Sequence, residues 1–365
     1  MRRAPRRLRR VPGRSVLLSS PTPKERAAAL ARRAAHSRPG QKLIEAIREQ
    51  PEATGGVAPE PQDLHIDGWL TSMFGEELAR IDAACAERGP DDRGAYELFR
   101  DLDDDLWALL LSRQYTSYPN ILALLPEVPD PALQVSWNGA SGLTLLSQTK
   151  AFYRHSKAMV SAHGPKPLAD SRVLDFGFGW GRILRFFARD VAPGSLLGVD
   201  PTEDIIEVSR ESRVPAELER SEFLPETLPF DGIDLAYSFS VFTHISESAA
   251  DTCLDALHAS LNPGGLLIVT IRPPAYLELD PKMHGALAEL GDPVEALKQP
   301  RYVFVPHAAE GHPQQGAEDE GEMTYGDCVI SLPFVKERWS DRFELLDVHV
   351  TSEDIYQVAI TLKKR

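Results

Sequence analysis

The chain has 365 residues, 42% of them hydrophobic, enough for one large cored domain or two smaller ones. Its net charge of −14 is uneven: residues 1–50 carry fourteen Arg and Lys against three Glu, so the remainder is more acidic still and repels nucleic acid and anionic membranes. No apolar run approaches the roughly 18 residues of a membrane span, and three scattered cysteines without Cys-x-x-Cys spacing argue against a disulfide scaffold or cysteine-rich zinc site, which fits a soluble protein of a reducing cytoplasm.

Residues 1–60 read as a basic tail without a core of its own. Arg2, Arg3, Arg6, Arg7, Arg9 and Arg10 cluster ahead of Pro, Ser and Gly, with a short helical stretch at Ala27–Ala35. A solvated tail is the plain reading; a nucleic-acid arm and an organellar transit peptide are the alternatives. Residues 61–165 read as a helical region. Leu98, Leu102, Leu106 and Leu109 make one apolar stripe, and Leu145, Phe152 and Met159 recur every seven residues beside Leu146, Tyr153 and Val160. Asp101 and Asp103–Asp105 read as the wet face of the first of these helices rather than a cation site.

From residue 166 to 365 short apolar runs alternate with helical stretches. Strands are expected at Arg172–Phe176, Leu196–Val199, Ala216–Arg220, Ile233–Phe239 and Leu266–Ile271, with helices near Arg182–Arg189, Glu203–Glu211 and Ala249–Leu261 between them. That alternation predicts a parallel sheet covered on both faces by helices. Phe343–Val350 and Tyr356–Leu362 read as a closing antiparallel pair. Residues 273–335 form an insertion before that pair, expected to act as a lid. Within it His307, Glu310, His312 and Asp327 offer metal-ligand types, but their spacing is not diagnostic and Glu318–Glu322 reads as a solvated acidic loop, so no metal is expected.

The segment Val173-Leu-Asp-Phe-Gly-Phe-Gly-Trp-Gly181 carries the most information. A strand runs into three alternating glycines, and a helix is expected to follow at once with free amide donors. In an open parallel sheet, ligands bind at the carboxyl ends of strands where the order reverses. The spacing is G-x-G-x-G rather than the G-x-G-x-x-G of a dinucleotide site, and Asp175 stands before the first glycine. A carboxylate there suits a cationic ligand, such as an amino-acid ammonium, and favours S-adenosylmethionine over NAD.

The Asp175-x-Gly177-x-Gly179-x-Gly181 loop resembles the first motif of class I S-adenosylmethionine-dependent methyltransferases. Leu197-Gly-Val-Asp200 resembles their second strand, Leu228–Ala236 the entry to the fourth, Ser240-Val-Phe-Thr-His244 the turn after it, and Leu261-Asn-Pro-Gly-Gly265 the stop before the fifth. The match covers roughly residues 165–272. It implies a Rossmann-like three-layer α/β sandwich, with a seven-stranded, mostly parallel sheet ending in an antiparallel hairpin. It implies S-adenosylmethionine as cofactor, with Asp200 on the ribose hydroxyls and contacts from Asp175, Phe176, Gly177, Gly179, Trp180, Gly181, Pro201 and Ser240. Asp200 also suits a helix cap, because Pro201-Thr202-Glu203 follows. One of Phe176, Phe178 and Trp180 faces adenine or sulfonium, or packs in the core. Tyr153 or Arg154 holds the methionine carboxylate, or instead Tyr153 is core and Arg154 solvated. Glu222 is left unassigned.

Methyl transfer is an in-line displacement in which the cofactor brings the reactivity. If the acceptor is a hydroxyl, a general base helps, and His244 stands on the rim where this family binds acceptors; a structural histidine is the alternative. The Asn/Asp-Pro-Pro-Tyr tetrad of many base and glutamine N-methyltransferases is replaced by Ser240–His244. The expected acceptor is therefore a small molecule, by analogy a sugar or natural-product hydroxyl. A nucleic-acid methyltransferase using the basic tail and a non-catalytic scaffold are the competing readings. Oligomeric state is not legible.

Overall fold

A computed structural model describes residues 66–307 and 322–365 and the backbone of 318–319. The basic tail with Ala27–Ala35, together with Glu310, His312 and residues 320–321, lies outside the described residues.

The helical region comprises α1 (Ile66–Arg88), α2 (Asp104–Ser112), α3 (Pro119–Leu124), α4 (Pro131–Asn138) and α5 (Gly142–His163). Its starts are written in short polar side chains and prolines. Asp103 accepts from Asp105 N at 2.7 Å to begin α2, and Asp130 accepts from Ala132 N at 2.8 Å ahead of Pro131 to begin α4. The aspartates beside α2 are therefore cap and ion-pair groups: Asp104 pairs with Lys157 at 2.9 Å and with Arg189.

Strands β1 (Val173–Phe176), β2 (Leu196–Asp200), β3 (Glu217–Arg220), β4 (Ile233–Ser238) and β5 (Leu261–Ile271) follow, with α6 (Leu184–Phe187), α7 (Glu203–Glu211) and α8 (Glu247–Ser260) interleaved. Every residue of β1, β2 and β4 is buried, as expected of parallel strands covered on both faces. The insertion contributes α9 (Tyr276–Leu279), α10 (His284–Leu290), α11 (Pro293–Ala296), β6 (Tyr302–Pro306), β7 (Glu318–Asp319), β8 (Glu322–Met323) and β9 (Gly326–Ile330). β6 pairs antiparallel with β9, and β7 with β8. The chain then returns to the main sheet through α12 (Leu332–Arg338), capped by Ser331, and closes with β10 (Phe343–His349) and β11 (Val358–Lys364).

The sheet has seven strands in the order β10-β11-β5-β4-β1-β2-β3, parallel from β5 to β3, with β11 antiparallel to both β5 and β10. Strand order reverses between β1 and β4, so the crevice of this sheet opens beyond their carboxyl ends. The expected helix Arg182–Arg189 contracts to the four residues of α6. Gly177, Gly179 and Gly181 all have positive φ, and the buried Arg185 guanidinium bonds to Glu127 O and Trp180 O, so turns replace the first helical coil. β5 begins earlier than expected, at Leu261, because Asn262 anchors to Gly232 O and Asp234 across β4 at 3.0 and 2.7 Å. α5 lies against the sheet: Phe152 meets Tyr237 and Phe239 edge-on at 5.9 and 5.0 Å, and Tyr153 meets Phe186 and Phe187 at 5.2 and 5.1 Å. Among the described residues no helix is long and apolar enough to cross a membrane.

Candidate functional site

A cavity opens at the point where strand order reverses. Asp175, Phe176, Gly177, Phe178, Gly179 and Trp180 form its floor, Asp200, Pro201 and Thr202 one wall, and Ser221–Leu224 the far end. Phe239, Ser240, Val241, His244 and Ile245 line the opposite side, with Thr324 and Tyr325 of the insertion and Trp137 and Asn138 of α4 over it.

The first glycine turn is sterically obligatory. Gly177 has φ +78°, and a Cβ there would stand 2.4 Å from Val241 Cγ2. Gly181, expected among the binding residues, does not line the cavity. A Cβ at that position would strike Val214 at 2.8 Å, so this glycine serves packing on the far side of the loop.

The loop amides are not free donors. Gly177 N and Phe178 N give to Val199 O at 2.8 and 3.4 Å, Gly181 N to Phe178 O at 3.0 Å, and Gly179 N to Asp200 Oδ2 at 3.0 Å. The expected open amides are those of the helix start after Gly181; the turns displace that start to Leu184. A loop that spends its amides internally and presents carboxylates is unsuited to a pyrophosphate and suited to a cation and to hydroxyl donors.

Asp200 is 5% exposed. Oδ1 accepts from Thr202 N at 2.9 Å, so the carboxylate braces the turn before α7, whose N-cap position is Thr202 rather than Asp200, and it lines the cavity. Burial pushes its pKa up to about 6 against the amides of Thr202 and Gly179, which favour the ionised form. Asp175 is buried at the end of β1. Burial holds it well above the usual carboxylate range, opposed by Tyr237 and the Arg182 guanidinium. Asp175 Oδ2 and the Tyr237 hydroxyl are both enclosed without completing a hydrogen bond, which is costly unless a ligand completes it. Arg182 is 6% exposed, gives Nη1 to Thr149 Oγ1 at 2.6 Å and lies 4.4 Å over the Phe239 ring. Burial lowers its pKa to about 10, so it remains charged.

Trp180 is fixed by Nε1 giving to Asn138 Oδ1 at 2.7 Å, with Arg185 stacked on it at 4.6 Å. Ser240 sits at φ +65°, a left-handed conformation unusual for a serine, held by Thr270 Oγ1 on its amide at 2.8 Å and Gln357 Nε2 on its hydroxyl at 3.0 Å.

For Tyr153 and Arg154 the structure shows the second alternative, core and solvent, rather than a place in the cavity. Tyr153 is wholly buried away from the cavity: its hydroxyl gives to Asp190 Oδ2 at 2.5 Å and receives Lys157 Nζ at 3.0 Å. Arg189 approaches the same hydroxyl while bonding Leu102 O and Phe99 O, so Tyr153 joins the helical region to the sheet domain. Arg154 is mostly exposed, 3.7 Å from Asp104. Neither reaches a ligand in the cavity; Arg182, visible in the sequence only as the residue after Gly181, is the cation that does line it.

His244 lines the cavity but has no open nitrogen. Nδ1 lies 2.8 Å from Gly326 O and Nε2 is 2.9 Å from Arg272 Nη2. Burial and the neighbouring Arg272 lower its pKa to about 3. The ring is therefore neutral, giving Nδ1–H to the backbone of the insertion and accepting from Arg272 at the nitrogen a base would need. Asp327 organises this corner, accepting from Arg272 at 2.6 Å and pairing with His307 at 2.7 Å. Burial opposes its charge, but the His307 hydrogen bond, His244 and Arg272 together hold it well below the usual range. His307 and Asp327 are thus engaged in a polar cluster that ties the insertion to Arg272 and His244. Phe223, Leu224 and Glu222 at the far end follow β3, a strand whose alternating exposure gave little sequence signal.

A family model described as a methyltransferase domain matches residues 173–265, from the start of β1 into β5. An uncharacterized protein of Rickettsia prowazekii (strain Madrid E) is 25% identical over 111 residues, covering 29% of this chain and 44% of that relative, so the match spans less than half of its length. Among solved structures, an S-adenosylmethionine-dependent methyltransferase from Mesorhizobium loti is 16% identical over 59% of this chain and 97% of its own, with a TM-score of 0.39. The N-methyltransferase NodS from Bradyrhizobium japonicum WM9, solved with S-adenosyl-L-homocysteine, is 12% identical over 65% of this chain and 93% of its own, with a TM-score of 0.40.

Proposed function

We propose that the chain is a class I S-adenosylmethionine-dependent methyltransferase and that it methylates a hydroxyl of a small molecule enclosed between the glycine loop and the insertion. The observation that carries the cofactor assignment is the pairing of two buried carboxylates, Asp175 and Asp200, around a loop whose amides at 177, 178, 179 and 181 are already used. The residues fit the group: Asp175 Oδ2 is enclosed at the cavity without a completed hydrogen bond, an acceptor to which a cationic donor can bond.

When bound, S-adenosylmethionine supplies an electrophilic methyl on a sulfonium. Asp200 receives the ribose hydroxyls. Asp175 takes the ammonium and Arg182 the carboxylate of the methionine end, in place of Tyr153 and Arg154. Glu222, Phe223 and Leu224 bound the nucleobase end, and Phe176, Pro201 and Trp180 complete the wall. The acceptor enters on the side of Phe239, Ser240, Val241 and Tyr325. The protein's part in catalysis is alignment and exclusion of water under Thr324 and Tyr325. His244 serves this as a positioning residue: its Nδ1–H holds the lid at Gly326, and Tyr325 stacks on its ring at 5.3 Å. The acceptor class rests on this enclosure and on the absence of an Asn/Asp-Pro-Pro-Tyr tetrad.

Two measurements test the reading. Calorimetry should give saturable binding of S-adenosylmethionine and S-adenosyl-L-homocysteine, weakened at least about 100-fold in Asp200→Ala, whose partner is lost in a buried site. Incubation with methyl-labelled cofactor and fractionated metabolites should then label a small molecule. Binding indifferent to Asp200→Ala would overturn the cofactor site. Label entering only protein or nucleic acid would overturn the acceptor class alone.

A further inference from the structure

A polar cluster lies between α5 and the edge strand β10, and none of its three members lines the cavity. Its origin is a β-bulge. Leu345 pairs with Leu362 and Asp347 with Thr361, so Leu346 is the extra residue that inverts the facing of the strand beyond it. Leu345 packs in the core on one face of the sheet, and Leu346 in the core on the α5 face. Regular alternation from Leu346 would send Val348 and Val350 beneath α5. Instead Val348 is 39% and Val350 57% exposed, while Asp347 and His349 take the covered face. Two valines are delivered to solvent so that a carboxylate and an imidazole can face a helix, the reverse of what apolar burial favours.

What they meet is His155 of α5, 7% exposed. The His155 and His349 rings stack with centroids 4.1 Å apart and planes 4° from parallel, and Asp347 Oδ2 is 3.9 Å from His155 Nε2. One ligand atom from each of the three residues falls within 4.8 Å of the others. Thr361 Oγ1 is hydrogen-bonded to His155 Nε2 at 3.3 Å.

We propose that His155, Asp347 and His349 bind a divalent transition-metal ion of the zinc class, which clamps the edge strand to α5. Two imidazoles and one carboxylate form a borderline donor set that suits Zn²⁺ or Co²⁺; Ca²⁺ and Mg²⁺ prefer oxygen ligands alone. A ring nitrogen coordinates in the plane of its ring. The His349 ring, on the partly exposed end of β10, therefore turns out of the stack to point its lone pair at the ion, while the buried His155 stays in place. The ion makes the bulge useful, because it pins a strand whose outer edge has no strand partner among the described residues.

The test uses the full chain after dialysis against a chelator. Titration with Co²⁺, followed by visible absorption, and with Zn²⁺, followed by calorimetry, should show one tight ion per chain and a rise in Tm with Zn²⁺. His349→Ala and Asp347→Asn, both at partly exposed positions, should each weaken that ion at least about tenfold and abolish the Tm rise. Near-UV circular dichroism verifies that the variants are folded, and His349→Ala decides alone if Asp347→Asn is not. Absence of saturable binding, or a tight ion undiminished in the folded variants, overturns the proposal.

Discussion

Asp200 illustrates how one side chain is made to serve at a cost to the free protein. Its folded pKa of about 6 lies above the 3.8 of an unperturbed carboxyl, so between those values the folded chain holds a proton that the unfolded chain has released. The contribution of this group to stability is therefore greatest below pH 4 and declines as pH rises to 6, by up to about 3 kcal/mol for a shift of this size. Denaturant melts across pH 4–7 should show Asp200→Asn removing that share of the slope. At His244 the geometry sets a second expectation. With Nε2 taken by Arg272, His244→Gln should cost only a few-fold in kcat and leave the pH–rate profile in place. A loss of 10² or more with a displaced acidic limb would return the general base to His244.

At the scale of elements, the strand-to-helix turn after β1 decides whether the cavity exists. Gly177→Ala imposes a φ of +78° on alanine and drives its Cβ into Val241, which lines the cavity. Left-handed backbone and the clash together should cost roughly 1–3 kcal/mol in urea melts and abolish detectable cofactor binding. Wild-type affinity in that variant would mean that the turn relaxes freely. The element the sequence misjudged was α6, because hydrophobic periodicity registers that Leu184 and Phe187 share a face but not that three positive-φ residues and a buried Arg185 consume the first turn. Strands β1, β2, β4 and β5 were legible because their apolar runs are dense, β1 running into Gly177 and β2 ending at Asp200. The bulge at Leu346 was not, since Leu345 and Leu346 read as a continuous apolar strand until the exposure of Val348 is seen.

In the whole molecule, the helical region and the sheet domain share one core. Phe152 and Tyr153 cover Phe187 and Tyr237, and the buried Arg189 bonds to the carbonyls of Phe99 and Leu102. A chain beginning at residue 166 would leave Arg189 uncompensated and expose that face. It should lose near-UV circular dichroism and cofactor binding together; a soluble fragment that still binds cofactor would show the two parts to be separable. The strands, their mostly parallel sheet with a closing antiparallel pair and the placement of Asp175, Asp200, Gly177 and Gly179 at the cavity followed from the sequence, because backbone conformation and sheet burial are local or periodic demands that residue type answers directly. Which groups meet across the fold did not. Tyr153 went to Asp190, Arg182 came to the cavity, His244 was tied to Arg272, and His155 met two residues nearly two hundred positions away, because such meetings depend on how α5 and the insertion dock, a long-range outcome of packing that no local pattern encodes.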